Sequence, residues 1–333
     1  MSKILSIGIT SYKRVNELVR CINSIGTKYV DDIEILVSED HSPQSAQLKA
    51  EVEKMKESSP YDIRFTTNEV NLGYDRNLGA IIQKCRGDYI FFMSDDDIVF
   101  EGCIDRLIPI LKQNGEKCGV LYGPFIYSRD KTRDRVRSCN GYISAGEENA
   151  AKYVYDSILF SGLIFKKKFV QDFDASQFVN YNYFQVYLFL QMMFRYGAYY
   201  INEPMVVCVG DGENAYGISD SSGGNQLLAN RKSVKSNLEF NRTLIKTIRK
   251  FDEETGCHII KAFEKQYSLH SYSGLSMARE EGIKYFEEYW DMLKKLDMRM
   301  YPVSYAYYLI LRIFGTKKAE ILMSKLRKLV KKE

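Results

Sequence analysis

Three consecutive carboxylates, Asp95, Asp96 and Asp97, are the residues of this sequence best suited to chemistry, and we call them the acidic triplet. They directly follow residues 89–93, an apolar run typical of a strand that is buried on both faces. Adjacent carboxylates repel one another. A divalent cation that prefers oxygen ligands, Mg²⁺ or Mn²⁺, would relieve this repulsion and neutralise a departing diphosphate. The alternative is a solvated turn or a helix N-cap, because Asp97 precedes Ile98 and carboxylates favour helix starts.

The elements that must position the triplet are predicted by apolar periodicity. Over roughly the first hundred residues, short apolar runs alternate with helical patterns, which indicates an α/β unit with a mainly parallel sheet. The strands are predicted at residues 4–9, 33–37, 63–66 and 89–93. Right-handed crossovers bring the carboxyl ends of such strands to one edge, which is where open α/β sheets bind ligands.

Polar side chains follow the other strand ends and begin the helix before the fourth strand. Those suited to a planar base, a ribose or a phosphate are Thr10, Tyr12, Asp40 and Arg76. Each of them, taken alone, is also consistent with an ordinary turn or helix cap. Their common position at one predicted sheet edge favours a nucleotide site.

Four sequence segments carry a family resemblance, and they lie in order over roughly the first 110 residues. They are residues 7–14 (IGITSYKR), 37–42 (VSEDHS), 71–77 (NLGYDRN) and 87–97 (GDYIFFMSDDD). Together they resemble the successive motifs of family 2 glycosyltransferases with the GT-A fold. The resemblance implies a Rossmann-like, mixed but mainly parallel sheet flanked by helices. It also implies a nucleotide-sugar donor, a Mn²⁺ or Mg²⁺ cofactor and inversion at the anomeric carbon.

The resemblance also implies roles for single residues. Thr10, Tyr12 and Asp40 would hold the nucleobase and ribose, Arg76 would lie near the base or diphosphate, and Asp95 would contact ribose. The implied donor-binding set is Thr10, Tyr12, Arg14, Asp40, Arg76, Asn77 and Asp95. The metal ligand would be Asp96 or Asp97, and both stay open because the family's D-x-D motif fits the triplet in two registers.

The general base is where this sequence departs from the family pattern. Inverting transfer needs a base within hydrogen-bond reach of the acceptor hydroxyl. Many family members carry it in a Glu-Asp pair that opens a late helix, whereas residues 180–187 (NYNYFQVY) contain no acid. Asp172, Asp174 and Asp211 are the candidates for the base, and each is also consistent with a surface carboxylate. Residues 161–165 (SGLIF), together with Gln185, resemble the abequosyltransferase-like branch that builds bacterial surface polysaccharides.

Composition and pattern predict the domain organisation. The chain has 333 residues, 45% hydrophobic and 27% charged, and its net charge of +4 is too small to indicate a nucleic-acid partner. We predict a GT-A catalytic domain at 1–210, with a nucleotide-sugar half at 1–110 and an acceptor half at 111–210. A flexible lid would follow at 211–225 and a helical region at 226–333. Within the acceptor half we predict strands at 119–127 and 157–165 and a helix at 181–196.

The C-terminal helices carry a pattern of their own. Residues 301–314 are aromatic and apolar, and residues 317–333 then hold seven basic and two acidic side chains. This pattern is typical of an interfacial helix on an anionic membrane, although a helix docked on the protein is the alternative. Membrane docking would suit a saccharide or polyprenyl-linked acceptor. Scattered cysteines and an N-terminus that leads straight into a strand predict a cytoplasmic protein, which the interfacial alternative for the C-terminal helix would make peripheral on the cytoplasmic membrane face.

Two other functions compete with sugar transfer. A sugar nucleotidyltransferase would show a Gly-rich phosphate loop after the first strand, and residues 10–14 contain no glycine. The second alternative is a non-catalytic, membrane-peripheral protein that retains the GT-A fold, which the absent Glu-Asp pair suggests.

Overall fold

The computed structural model of the chain describes residues 3–211 and 234–330. The chain divides into two compact units, Met1–Ala229 and Asn230–Glu333. The loop predicted to be a lid, residues 211–225, lies outside the described residues except for Asp211.

The described residues contain twelve strands and eleven α-helices. The strands are β1 (Leu5–Ser11), β2 (Ile33–Glu39), β3 (Asp62–Thr67), β4 (Tyr89–Ser94), β5 (Ile98–Val99), β6 (Val120–Tyr122), β7 (Phe125–Tyr127), β8 (Arg133–Asp134), β9 (Gly141–Ile143), β10 (Ile164–Lys166), β11 (Ala198–Tyr200) and β12 (Val206–Cys208). The helices are α1 (Val15–Asn23), α2 (Ser45–Ser58), α3 (Tyr74–Lys84), α4 (Cys103–Asn114), α5 (Glu147–Tyr153), α6 (Lys167–Val170), α7 (Phe184–Tyr196), α8 (Val234–Thr255), α9 (Ile259–Glu280), α10 (Ile283–Lys294) and α11 (Pro302–Val330).

An eight-stranded sheet forms the centre of the first unit, in the order β3-β2-β1-β4-β10-β6-β11-β9. The strands β1 to β4 are parallel to one another where they pair. Strand β10 runs antiparallel between β4 and β6, and β11 is parallel to β6. The carboxyl ends of β1 to β4, β6 and β11 therefore share one edge. The predicted α/β class with a mixed, mainly parallel sheet is confirmed.

Strand β4 brings the acidic triplet to this edge. Its residues Ile90, Phe91, Phe92 and Met93 have no exposed surface, because the sheet lies on both sides of the strand and apolar side chains cover both faces. Burial of such side chains is worth about 1.5–3 kcal/mol each relative to exposure. Apolar packing on both faces of β4 thus holds in place the strand that leads into the acidic triplet.

Two of the predicted strands are wrong in extent. Residues 119–127 form β6 and β7, which belong to different sheets, since β7 lies in a second sheet of order β5-β12-β7-β8. Gly123 and Pro124 separate them, and proline cannot donate to a strand ladder. Of residues 157–165, only the end joins strand β10, after a 3₁₀ helix at Val154–Ser157 and a left-handed Gly162 (φ 89°).

The second unit is helical. Helix α9 packs against α8, α10 and α11 around buried Phe251, Phe263, Phe286 and Leu311. Helix α11 is interrupted at Gly315, whose φ of 68° and ψ of 176° are not helical. Among the helices of residues 3–211 and 234–330, none has the length and apolar character needed to cross a membrane.

We expect Gly87→Ala to lower the free energy of unfolding by about 1–3 kcal/mol through overpacking. Gly87 leads into β4, and a β-carbon there would lie 2.5 Å from the Ser6 amide nitrogen and 2.8 Å from the Leu5 carbonyl carbon. The matched control is Gly26→Ala, where the new β-carbon would meet no described atom within 4 Å. Urea unfolding measures both variants, and equal stabilities would contradict the close approach of β1 to Gly87.

Candidate active site

A cleft opens at the shared carboxyl edge of the sheet. It contains about 520 Å³ of empty space, part of which is open solvent. Its walls come from the ends of β1, β2 and β4, from the loop and first turn of α3, and from the segment before β10. The lining residues are Thr10, Ser11, Tyr12, Arg14, Asp40, Asn71, Gly73, Tyr74, Asn77, Ser94, Asp95 and Phe160.

Asp95 is held by the turn that follows β1. Its Oδ1 accepts a hydrogen bond of 2.9 Å from Arg14 Nη1, and its Oδ2 accepts one of 3.3 Å from the Tyr12 amide. Burial, opposed by the Arg14 charge, raises the pKa of Asp95 to about 7. The sequence forms this turn through Lys13, which takes a left-handed conformation (φ 67°) and directs Arg14 toward the triplet.

Asp97 is bound on both oxygens by the acceptor half. Oδ2 accepts from Ser161 Oγ at 2.6 Å, and Oδ1 accepts from the Val209 amide at 3.0 Å. Burial and the neighbouring Asp96 charge raise the pKa of Asp97 to about 6. Asp97 thereby joins the end of β4 to the segment before β10 and to the segment after β12.

Asp96 has the open oxygen of the triplet. Its Oδ1 accepts from Ser94 Oγ, whereas its Oδ2 is buried and receives no hydrogen bond from any residue that the structure describes. Arg14 Nη1 lies 3.1 Å from this Oδ2 as an ion pair, but not in hydrogen-bond geometry. A buried carboxylate oxygen without a donor is costly. A bound cation would satisfy it.

A cation at Asp96 would need ligands from outside the protein. In the described part of the chain, no cluster of three or more His, Cys, Asp and Glu side chains is arranged to hold a metal ion. Mg²⁺ commonly takes one or two carboxylates, several waters and substrate phosphates. The residues present therefore fit a metal ion whose coordination would be completed by the oxygens of a bound diphosphate.

Asp40 organises the wall opposite the triplet. Its Oδ1 accepts from the Leu72 amide at 2.8 Å and from Asn68 Nδ2 at 2.9 Å, and its Oδ2 accepts from the Gly73 amide at 2.8 Å. Gly73 has φ of 80°, which glycine adopts without strain. Asn77 lies beneath, where its side chain bonds Ser38 and Asn68. These contacts set the entrance to α3.

The structure brings most of the predicted donor-binding residues to one place. Six of the seven line the cleft: Thr10, Tyr12, Arg14, Asp40, Asn77 and Asp95. Arg76 lies outside this lining, and its Nη2 donates to the Leu72 carbonyl instead. Its guanidinium therefore supports the loop that Asp40 also holds.

The three base candidates lie in different places. Asp211 forms a forked ion pair with Arg20, at 2.6 and 2.7 Å, and Arg20 also donates to the Asp96 carbonyl at 3.0 Å. The hydrogen bond from Arg20 lowers the pKa of Asp211. Asp172 lies beside the end of α3, because the carbonyl of the adjacent Gln171 accepts a hydrogen bond from Gln83. Asp174 lies beside the middle of α3, because the adjacent Ala175 packs at Gly79. Asp174 caps a short 3₁₀ helix there.

Six cleft-lining residues were missing from the predicted donor-binding set, and two of them, Tyr74 and Phe160, are aromatic. Their rings lie edge to face, with centroids 5.3 Å apart. Tyr74 lies inside the motif at 71–77, so its position at the start of α3 was a usable signal. Phe160 enters the cleft only because the sheet places β10 beside β4, and nothing in its neighbouring sequence indicates that. The aromatics Phe184 and Tyr187, by contrast, pack on Phe178 in the core.

Two solved structures share this architecture. S. aureus TarS 1–349 in complex with UDP-GlcNAc matches with a TM-score of 0.58 over 97% of this chain and 92% of that one, at 13% identity. The mannosyltransferase PcManGT from Pyrobaculum calidifontis, in complex with GDP-Man and Mn²⁺, matches with a TM-score of 0.52 over 99% and 81%, also at 13% identity. The fold is that of the GT-A glycosyltransferases.

The sequence comparisons agree with the fold. The sequence model of glycosyl transferase family 2 matches residues 6–177, and the chain belongs to that family. Abequosyltransferase RfbV of Salmonella typhimurium is 27% identical over 63% of this chain and 68% of its own length. The GalNAc(5)-diNAcBac-PP-undecaprenol beta-1,3-glucosyltransferase of Campylobacter jejuni is 24% identical over 64% and 69%. The predicted family is confirmed, and the protein is a glycosyltransferase rather than a nucleotidyltransferase.

The buried triplet predicts a pH-dependent stability in the presence of a chelator. Burial raises the pKa of Asp97 from 3.8 to about 6, so its stabilising contribution is fully present below pH 3.8 and lost as pH rises through 6. Between pH 8 and 5.5 this group adds about 1 kcal/mol to the free energy of unfolding. We expect Asp97→Asn to show a smaller rise over that interval than the wild type. The control Asp62→Asn changes a half-buried carboxylate at the start of β3 and should keep the wild-type rise. An unchanged rise in Asp97→Asn would contradict the assignment.

Proposed function

We propose that this glycosyltransferase moves a hexosyl or deoxyhexosyl group from a nucleoside-diphosphate donor, with inversion, to a saccharide or polyprenyl-linked acceptor of a bacterial polysaccharide. The observation that carries the proposal is the acidic triplet, of which Asp95 lines the cleft and the adjacent Asp96 has one buried oxygen, Oδ2, with no hydrogen-bond donor among the described residues. The relatives that act on abequose and on an undecaprenol-linked acceptor support the polysaccharide context.

The nucleoside half of the donor would lie against the ends of β1 and β2. Tyr12 offers a ring, and Asp40 and the Asn71–Gly73 turn offer polar groups, while Asp95 lies where a ribose would reach the triplet. Asp95 is buried and oriented by Arg14 and Tyr12, so it needs no rearrangement to accept a hydroxyl donor. Such fixed groups lower the ordering cost of binding.

We propose Asp96 as the metal ligand, with Asp97 as its structural support. Both Asp97 oxygens already accept hydrogen bonds from Ser161 and Val209, whereas Asp96 Oδ2 has none from the described residues. A bound Mn²⁺ or Mg²⁺ supplies positive charge to the departing diphosphate. Arg14 keeps the triplet compact, since its guanidinium lies against both Asp95 and Asp96.

The displacement needs a hydroxyl nucleophile and a proton acceptor. The acceptor oxygen bonds the anomeric carbon as the bond to the diphosphate breaks, and the hydroxyl proton passes to a carboxylate. Of the three candidates, Asp211 is the one tied to the triplet, through Arg20, and we retain it as the proposed base. Arg20 holds it in its ionised form, and the Arg20 contact must open before the carboxylate can take a proton.

The metal assignment is tested by isosteric variants. We expect Asp96→Asn to lower Mn²⁺-dependent release of nucleoside diphosphate by about 10²-fold or more, because a charged metal ligand is lost. Asp97→Asn should lower it less, because both oxygens of Asp97 already accept hydrogen bonds from Ser161 and Val209. Asp88→Asn, an exposed carboxylate at the other end of the same strand, is the control. The nucleotide-sugar donor for this assay is first identified by a thermal-shift screen of UDP-, GDP-, CDP- and dTDP-sugars with Mn²⁺.

The proposal is overturned if Asp96→Asn and Asp97→Asn both release nucleoside diphosphate at the wild-type rate. Such a result would also favour the non-catalytic alternative if the wild type were equally slow.

We also propose that the C-terminal unit docks on an anionic membrane surface. One face of α11 exposes large apolar side chains, which are Tyr305 (46%), Leu309 (52%), Ile313 (70%) and Phe314 (48%). Residues 305, 309 and 313 are four apart and share a helix face. Exposed Lys317 and Lys318 follow, and residues 317–333 carry seven basic and two acidic side chains. Apolar and basic side chains at one helix end match an anionic interface.

Charging the apolar face should release the protein from lipid. We expect Leu309→Asp with Ile313→Asp to weaken binding to phosphatidylglycerol-containing vesicles by about tenfold or more, because two apolar side chains no longer enter the interface. The control is Leu269→Asp, an exposed leucine (53%) on α9. Vesicle co-sedimentation measures the binding. Unchanged binding, or binding equally strong to neutral phosphatidylcholine, would contradict the docking surface.

A further inference from the structure

Asp75 is a buried carboxylate that the donor site does not use. It lies in the first turn of α3, is 4% exposed, and points at the start of α7. Its Oδ2 accepts from the Asn182 amide at 2.6 Å and its Oδ1 accepts from the Phe184 amide at 2.9 Å. Burial, opposed by these amide donors, raises the pKa of Asp75 to about 7. A carboxylate buried this deeply is retained only where its contacts compensate for the lost hydration.

The chain before α7 is shaped around this carboxylate. Asn180 and Asn182 both adopt left-handed backbone, with φ of 61° each, which is uncommon for residues other than glycine. The two turns direct amide groups inward, where the N-terminus of α7 favours negative charge. Asp75 of α3 therefore supplies the negative charge that the N-terminus of α7 favours.

A second bond joins the same two helices at the cleft. Tyr74, adjacent to Asp75, donates from its hydroxyl to Gln185 Oε1 at 3.0 Å. Gln185 Nε2 donates in turn to the Ile158 carbonyl at 3.1 Å. Ile158 begins the segment that carries Phe160 into the cleft and leads to Ser161, the partner of Asp97.

We propose that Asp75 is a positioning residue that sets the acceptor-side wall of the cleft, formed by Tyr74 and Phe160 and supported by Gln185, against the donor side. The proposal rests on the proposed sugar transfer. The first turn of α7 carries the neutral Gln185, and Asp75 fixes the start of that helix from α3. Asp75 is not among the residues that line the cleft, so it acts through α7 and Tyr74. The donor side keeps its own support, since Asp40 holds the Asn71–Gly73 turn.

A purely stabilising helix cap is the competing explanation, and the chain contains a matched example of one. Asp252 accepts from the Ile259 and Ile260 amides, each at 2.9 Å, at the start of α9 in the second unit. Asp252→Asn and Asp75→Asn remove the same chemistry from two helix ends. A cap alone changes the melting temperature, whereas a positioning residue also changes how the acceptor binds.

The test is steady-state transfer to an octyl glycoside that the wild type accepts, with donor hydrolysis by water measured alongside. We expect Asp75→Asn to raise the acceptor KM by about tenfold or more, while the donor KM and the hydrolysis rate stay within about threefold of the wild type. Asp252→Asn should leave the acceptor KM unchanged. Tyr74→Phe keeps the buried carboxylate, and it should raise the acceptor KM by about threefold or more through loss of the bond to Gln185. This second variant decides the matter if Asp75→Asn does not fold.

The inference is overturned if the folded Asp75 and Tyr74 variants keep the wild-type acceptor KM, or if Asp252→Asn raises it equally. These results in an enzyme that transfers sugar leave the proposed function intact. A wild type that transfers no sugar from any of the screened donors overturns the proposed function and this inference together.

Discussion

The burial of three adjacent carboxylates at the end of β4 is the constraint on which the rest of the first unit depends. Each of the three is about 2% exposed, and unpaired charges at such depth are costly. Their partners come from distant parts of the chain, namely Arg14 after β1, Ser161 before β10 and Val209 after β12. The strands of two sheets thus meet at this one charged point.

The partners also divide the triplet's work. Asp95 and Asp97 each accept hydrogen bonds on both oxygens, from the first 110 residues and from residues 111–210 respectively, whereas Asp96 Oδ2 has no hydrogen-bond donor among the described residues. With all groups ionised, three carboxylates and the Arg14 guanidinium leave two negative charges, which a divalent cation would balance. Under the proposed function, Asp96 would bind the cation and its two neighbours would hold the triplet in place.

Sequence reasoning reached the parts of this structure that are local. The strands β1 to β4, their common edge and the cleft position of six of the seven predicted donor-binding residues followed from short apolar runs and from motifs within residues 7–97. The split of residues 119–127 between two sheets, and the positions of Phe160 and Asp75, depend on contacts between segments far apart in sequence. The proposal of Asp96 rather than Asp97 as metal ligand rests on hydrogen bonds from Ser161 and Val209 to Asp97, which no spacing within the triplet reveals.

The bonds around Gln185 have a consequence for how such enzymes diversify. Donor-side groups come from a continuous stretch of the chain and brace one another through Asp40 and Asn77. On the opposite wall, Gln185 in the first turn of α7 joins Tyr74 to the Ile158 carbonyl, while the chain after Phe160 is held to β4 by separate bonds from Gly162 and Ser161. A substitution at Gln185 would therefore alter the contact between Tyr74 and Ile158 and leave the bonds of the triplet in place. Under the proposed function, this helix start is a position where acceptor preference could change while the donor side stays the same.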